Sequence, residues 1–360
     1  MKHLPVYLVI VLLISVACVP PPTAPVVSPA TATEAALEPA VITLMSHDSF
    51  NVSEEVIAEF EAANNAKVEY LPSGDAGSAL NQAILSKNNP LADVFFGVDN
   101  TFMSRALEAG VFEAYTSPLL AEVPDDLELD PQHRLLPVDY GDVCLNYDKA
   151  WFAERDIDPP ADLNALIDPV YKGLTVVENP ATSSPGLAFL LATIGHFGEE
   201  HYLDYWRALR DNEVLVVDGW EEAYWGQFSA ASDGNRPIVV SYASSPPAEV
   251  FSAEEPLDEA PTGVVLADGA CFRQIEFIGI LKGTQQRALA EKLIDFMLSK
   301  RFQEDIPLQM FVFPANQTAA LPDVFTRYAE IPENPAYVSP EAIEENREAW
   351  IEAWTETVLR

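Results

Sequence analysis

The sequence predicts an α/β protein in which mostly parallel sheets are covered by helices. Three observations carry this. Short apolar or β-branched runs alternate with amphipathic helical stretches, the pattern of parallel strands linked by helical crossovers. Hydrophobic residues make up 49% and charged residues 21%, which leaves enough apolar surface for a sizeable core. At 360 residues the chain exceeds one ordinary core and suits two domains.

The elements follow in order. Val41–Met45 reads as the first strand. Ser53 stands where a cap would start a helix through Ala63, with Val52, Val56, Ile57 and Phe60 on one face. Lys67–Leu71 reads as a strand, and Ser78–Lys87 as a helix with Leu80, Ile84 and Leu85 inward. Asp93–Gly97 is a third strand, followed by a helix over Thr101–Ala109 that Gly110 closes. In such sheets ligands sit at the carboxyl ends of strands. That points to the loops near His47–Phe50, Ser73–Gly77 and Gly97–Asn100.

A second unit of the same kind follows. Its strands are expected at Gly141–Tyr147, Leu174–Glu178, Val214–Val217 and Ile238–Ser241. Its helices are expected at Gly186–Phe197, Glu200–Arg210 and Glu221–Phe228, and the acidic Ser252–Pro261 stretch reads as a surface loop. Ile275–Leu281 is a strand. Arg287–Leu298 is a helix with Leu289, Leu293, Ile294 and Met297 inward. The tail from Pro340 to Arg360 is a helix with Ile343, Trp350, Ile351 and Trp354 on one stripe.

Charge and targeting narrow the function. The formal charge is −36, from 20 Lys+Arg against 56 Asp+Glu. That field repels nucleic acid and anionic lipid and draws cations. Lys2 and His3 precede an apolar run from Leu4 to Ala17, too short for a spanning helix, so residues 1–18 read as a secretion signal. Ile14-Ser15-Val16-Ala17-Cys18 is similar to a bacterial lipoprotein signal, in which the Cys is acylated. Residues 19–40, rich in Pro, Ala and Thr, would be a semi-extended tether. The folded part is therefore expected outside the cytoplasm, held to a membrane through Cys18. Cys144 and Cys271 remain, either paired or as buried thiols.

Seven landmarks stand in order along the chain. They are His47-Asp48-Ser49-Phe50, Ala92 through Asn100, Pro137-Val138-Asp139-Tyr140-Gly141 and Asn179 through Leu187. Gly219 through Tyr224, Ser241 through Pro246, and Phe302 through Asn316 complete them. From about Val41 to its end the chain resembles the thiamine-binding periplasmic proteins, solute-binding proteins of ABC importers with the type II periplasmic-binding fold. That resemblance implies two lobes joined by crossover hinge strands, each lobe a mostly parallel sheet flanked by helices. Lobe I would comprise residues 41–139 and 276–360, and lobe II residues 140–275. Ligand would bind in the cleft between them, and closure would bury it. The implied partners are thiamine or a thiamine phosphate and the permease subunits. A monomer without a cofactor or metal is expected.

Thiamine is an organic cation, so its site needs aromatic faces, a carboxylate and polar groups for its hydroxyethyl or phosphate end. Asp75, alone, reads as a helix cap; the resemblance gives it, with Ala76, a ligand contact. Asp99 reads as a cap. Trp220 and Tyr242 match aromatic positions of the family's pocket, and Tyr224, one helical turn beyond Trp220, would share that wall. Ser183, Ser184 and Gly186 open an apolar helix, where free amides and hydroxyls would take the hydroxyethyl or phosphate end. Ser244 and Ser245 form a weaker pair of the same kind. His47 stands where the family has Tyr, and Phe311 where it has Trp. A Trp expected after Asp48-Ser49-Phe50 is missing from Asn51–Glu55, and Ala248 stands near another aromatic position.

These departures leave room for a thiamine precursor or another organic cation. Ferric ion or a small anion is a further alternative within the fold, but ferric sites favour adjacent tyrosines, and Tyr242 precedes Ala243. An enzyme on the same scaffold would use Asp48, Asp75 or Asp99. The chain has no P-loop, Gly-x-Ser-x-Gly or His-Glu-x-x-His motif, so no enzyme is expected.

Overall fold

The structure is a computed structural model that describes residues 38–253 and 255–360. The expected signal, acylated Cys18 and most of the tether lie outside the described residues. The chain opens with β1 (Ala40–Ser46), α1 (Glu54–Asn64), β2 (Ala66–Pro72), α2 (Ala76–Leu85), β3 (Val94–Asp99) and α3 (Met103–Ala109). After a short β4 (Phe112–Glu113) comes the long β5 (Leu136–Asp148), then α4 (Lys149–Arg155) and β6 (Thr175–Glu178). The next elements are α5 (Ser184–Phe197), α6 (Tyr202–Asp211), β7 (Leu215–Val217), a π-helical turn at Glu222–Gln227, and β8 (Ile238–Tyr242). They lead to α7 (Ser245–Ser252), β9 (Thr262–Val265), β10 (Phe272–Leu281), α8 (Arg287–Leu298), α9 (Lys300–Gln303) and α10 (Ile306–Gln309). The chain closes with β11 (Phe313–Pro314), α11 (Asp323–Tyr328) and α12 (Pro340–Val358).

One curled sheet runs in the order β2-β1-β3-β10-β5-β8-β6-β7. Its two wings are parallel: β1 pairs with β2 and β3, and β6 with β7 and β8. Its centre is antiparallel, because β5 and β10 run against each other and against β8 and β3 respectively. The expected lobe boundaries fall inside β5 and β10. Both strands therefore had to be longer than the sequence segments predicted for them.

The cores follow the apolar faces of the elements. Val56 and Phe60 of α1 and Leu293, Ile294 and Met297 of α8 are buried in one cluster with Leu44 and Phe96. A second cluster gathers α5, α6 and α12, where Trp354 meets Trp206 edge to face at 5.4 Å. The C-terminal helix thus touches α6 as well as α3. Leu85 was expected inward but is 86% exposed. Helix α2 ends there, so its last residue leaves the buried stripe. Ser53 does stand at the start of α1, yet it makes no cap; its hydroxyl and amide both donate to Asp305.

Cys144 and Cys271 are joined in a disulfide, with Cα atoms 4.4 Å apart. Residue 144 lies on β5 and Cys271 immediately precedes β10, whose first residue Phe272 is opposite Val143. The bridge therefore staples the two crossover strands at the lobe II end. Among the described residues no helix is long and apolar enough to cross a membrane.

Candidate functional site

A cavity of about 470 Å³ lies between the wings, at the carboxyl ends of β1, β2, β7 and β8. Its size is that of a small-molecule pocket. One side carries His47, Asp48, Ser49, Asp75 and Ala76. The other carries Ser184, Trp220, Tyr224, Trp225, Tyr242 and Glu249, with Phe311 also contributing. The Gly97–Asn100 segment was expected here and is not. β3 continues through Asp99, and the Asn100 side chain bonds the β10 backbone at Arg273 and Ile275.

Asp75 is the N-cap of α2, and its Oδ1 accepts from the Ala76 amide at 2.7 Å. It is also a bridge between wings. Oδ2 accepts from the Trp220 amide at 2.9 Å, and Oδ1 from the Ser184 amide at 3.4 Å. The cap and ligand roles therefore compete for the same carboxylate. A Cβ on Gly219 would sit 3.0 Å from Asp75 Oδ2, so glycine there is what lets the two sides meet. Burial pushes Asp75 upward, opposed by the Trp220 and Ala76 amides and by His47. Ser49 Oγ adds a second bridge, donating to Glu221 Oε1 at 2.9 Å.

Two expected residues lie behind the cavity lining rather than on it. Ser183 is fully buried and does not line the cavity; its hydroxyl caps α5 by accepting from the Gly186 amide at 3.4 Å. Gly186 does not line it either. A Cβ there would lie 2.6 Å from the Glu178 carbonyl oxygen, so this glycine lets α5 pack on the end of β6. Ser184 remains at the cavity. Its amide faces Asp75, so the open anion site expected at this helix start is already filled.

Trp220, Tyr224 and Tyr242 all line the cavity, in a geometry that helical spacing did not give. Trp220 stacks on Tyr224 with centroids 5.0 Å apart and planes at 21°. The segment between them enters a π turn rather than α-helix, a form frequent at functional sites. That turn also brings Trp225 edge-on to Trp220. The Trp220 indole donates to Ser241 Oγ at 3.0 Å, and Tyr242 Oη to Gln274 Oε1 at 3.2 Å. Phe311 holds a positive φ of 57°, rare for a bulky residue, and its carbonyl accepts from Ser244 Oγ.

Sequence reading missed Glu249 and Trp225. Glu249 sits on α7 and accepts from the hydroxyls of Tyr224 and Thr262. Burial pushes it up to about 7. The signal for α7 was present, since Ser245-Pro246-Pro247 places prolines in the first helical turn. His47 Nε2 lies 3.2 Å from Glu276 Oε1. Burial opposes its charge, but Glu276, with Asp75 and Asp48, holds it above the ordinary imidazole value.

Apart from His47, the ionisable groups of the lining are carboxyls and tyrosines. Asp48, Asp75 and Glu276 face Asp218, Glu221, Glu222 and Glu249, and among the described residues no Lys or Arg lines the cavity. Behind them, Glu276 is opposite both Asp139 and Asp99 in the strand register. Burial and Glu276 raise Asp139 well above the usual carboxylate range, and burial pushes Asp99 up to about 7. Such a cavity can receive an aromatic cation and disfavours an anion.

One sheet with two parallel wings, paired crossover strands and a cavity between the wings define a solute-binding protein of the type II periplasmic fold. The chain belongs to the family of bacterial extracellular solute-binding proteins, whose model matches residues 89–329. The thiamine-binding periplasmic protein of Salmonella typhimurium is 30% identical over 325 residues, 89% of this chain and 94% of that protein. The protein of the same name from Escherichia coli is 30% identical over 326 residues, with the same coverage of 89% and 94%. Among solved structures, a periplasmic thiamin binding protein superposes with a TM-score of 0.78 at 26% identity, covering 89% of this chain and 97% of that one. A ferric binding protein from Campylobacter jejuni shares the fold, with a TM-score of 0.71 at 18% identity and coverage of 88% and 99%. This is a family of solute carriers for transport.

Proposed function

We propose that the chain is the thiamine receptor of an ABC importer, capturing its ligand between the lobes and delivering it to the permease. The observation that carries this is the cavity itself. Trp220, Tyr224, Trp225 and Tyr242 offer aromatic faces among carboxylates, and among the described residues His47 is the one basic side chain of the lining. An aromatic cation is the ligand that this combination suits. The likeness to thiamine-binding periplasmic proteins over nearly the whole folded part supports the same choice.

In this reading Trp220 and Tyr242 hold the rings, and Glu249, Glu276 and the rim carboxylates supply counter-charge. Asp75, Ala76 and Ser184 close the cleft, and His47 and Phe311 complete the walls. Tyr224 supports Trp220. The protein acts as a monomer outside the cytoplasm, anchored through an acylated Cys18. The Cys144–Cys271 bridge supports an oxidising compartment.

The test is calorimetric titration and thermal melting of the purified protein with thiamine, a pyrimidine precursor and ferric citrate. Thiamine at about 100 times its dissociation constant adds about 2.7 kcal/mol and raises the melting temperature. A melting curve that thiamine leaves unmoved overturns the reading; a response to ferric citrate alone transfers it to iron.

A further inference from the structure

We infer that His47 carries a proton that stands in for the ligand's positive charge, ion-paired with Glu276, and that the bound cation expels it. The inference rests on the thiamine reading above, and needs only that the ligand be an organic cation. His47 directly follows β1, and its ring is seated by the neighbouring strand. A Cβ on Gly97 would lie 2.4 Å from His47 Cδ2, so the bare backbone of β3 is what leaves the imidazole room. Phe96 flanks the ring, with centroids 5.5 Å apart. So placed, Nε2 lies 3.2 Å from Glu276 Oε1 on β10, with the two side chains only 12% and 9% exposed. Both residues line the cavity.

The surrounding groups decide the charge of this pair. Burial opposes a charged imidazole, but Glu276, Asp75 and Asp48 outweigh it. Behind Glu276, Asp139 of β5 and Asp99 of β3 are opposite it in the strand register, and both are fully buried. Among the described residues no donor reaches either oxygen of Asp139. Adjacent buried carboxyls do not ionise together. Burial and Glu276 therefore keep the proton on Asp139, which leaves Glu276 as the carboxylate facing His47. Tyr242 of β8 stays neutral and turns its hydroxyl to Gln274. A thiazolium that enters this cavity meets an imidazolium of like sign, which is unfavourable at close quarters. The ligand's charge is permanent, whereas the imidazolium can release its proton to water. Glu276 then serves the ligand, and the buried carboxylate exchanges one positive partner for another without being left unpaired.

The experiment follows His47 by NMR through its imidazole Cε1–H resonance, assigned as the one missing from His47→Gln. In the free wild-type protein its titration midpoint should lie above about 6.5, the ordinary imidazole value, and Glu276→Gln should lower it. Saturating thiamine should move the midpoint down by about one pH unit or more. By linkage, thiamine affinity should then fall as pH drops below the free-state midpoint, by up to about tenfold per pH unit. Calorimetry in Glu249→Gln, where Glu249 no longer contributes, reads that fall, and adding His47→Gln should remove most of it. His47→Tyr, whose hydroxyl titrates only near about 10, takes the place of His47→Gln if that variant does not fold. A free-state midpoint at or below the ordinary value overturns the inference and leaves the thiamine reading intact. So does a midpoint that saturating thiamine leaves unmoved, or a fall in affinity that persists in full without His47. Thiamine that binds at no pH overturns the thiamine reading and this inference with it.

Discussion

Trp220 and Glu249 show how single side chains divide the work of this cavity. Trp220 is braced behind by Tyr224 and held at its edge by Ser241, so its ring is pre-organised. Trp220→Ala should weaken thiamine binding by about 10- to 100-fold, as loss of a central aromatic anchor does, with Trp220→Phe intermediate. Calorimetry measures both. Glu249, pushed up to about 7, gains its charge across the neutral range. A cation favours the ionised form, so affinity should rise as pH rises through 7 and binding should release protons. Glu249→Gln should flatten that dependence; a titration in buffers of different ionisation enthalpy reads the proton release. Trp220 stands inside the landmark Gly219 through Tyr224, and Asp75 was named from the family resemblance. Glu249 was not, because its role depends on Tyr224 and Thr262, which are distant in sequence.

At the scale of elements, the junctions matter more than the elements. The start of α2 meets the loop after β7 only because Gly219 carries no side chain. A Cβ there would approach Asp75 Oδ2 to 3.0 Å and Asp75 Cβ to 3.3 Å. Both atoms belong to the opposite wing. Gly219→Ala should therefore weaken ligand binding several-fold while leaving the melting temperature of the free protein nearly unchanged. The second junction is the Cys144–Cys271 bridge, which closes a sequence separation of 127 residues. Replacing both cysteines by serine should lower stability by about 3–5 kcal/mol, the chain-entropy value for a loop of this order. Denaturant midpoints with and without reductant check this. The π turn at Glu222–Gln227 could not be told from α-helix by periodicity, since six residues are too few to separate the two.

For the whole molecule, the ionisation of buried carboxyls governs stability. Asp99 and Glu249 are pushed up to about 7, and Asp139 and Glu178 well above their ordinary values, all chiefly by burial. Each raised group binds its proton more tightly in the folded chain than in the unfolded one. The stability this contributes is complete below about pH 4, the unfolded carboxyl value, and is lost as pH rises through each group's raised folded value, about 7 for Asp99 and Glu249. The formal charge of −36 acts in the same direction, since self-repulsion grows as carboxyls ionise. The melting temperature of the free protein should therefore fall from pH 5 to pH 8 and recover with added salt. Asp99→Asn should remove part of the fall, because an amide oxygen can still accept from the Thr101 and Phe102 amides. A melting temperature that climbs over this range would contradict the assignment of buried, neutral carboxyls.

The alternation of strands and helices, and the landmarks from His47 to Asn316, were enough to define the family and most element positions. These are local signals: periodicity, caps and short motifs survive in one dimension. The exposure of Leu85, the burial of Ser183 and the π turn were decided by packing. So was the pairing of Cys144 with Cys271, which needed β5 beside β10. Above all, three amides from three segments converge on Asp75. The bonds from Ser184 and Trp220 exist only once the wings have folded toward each other.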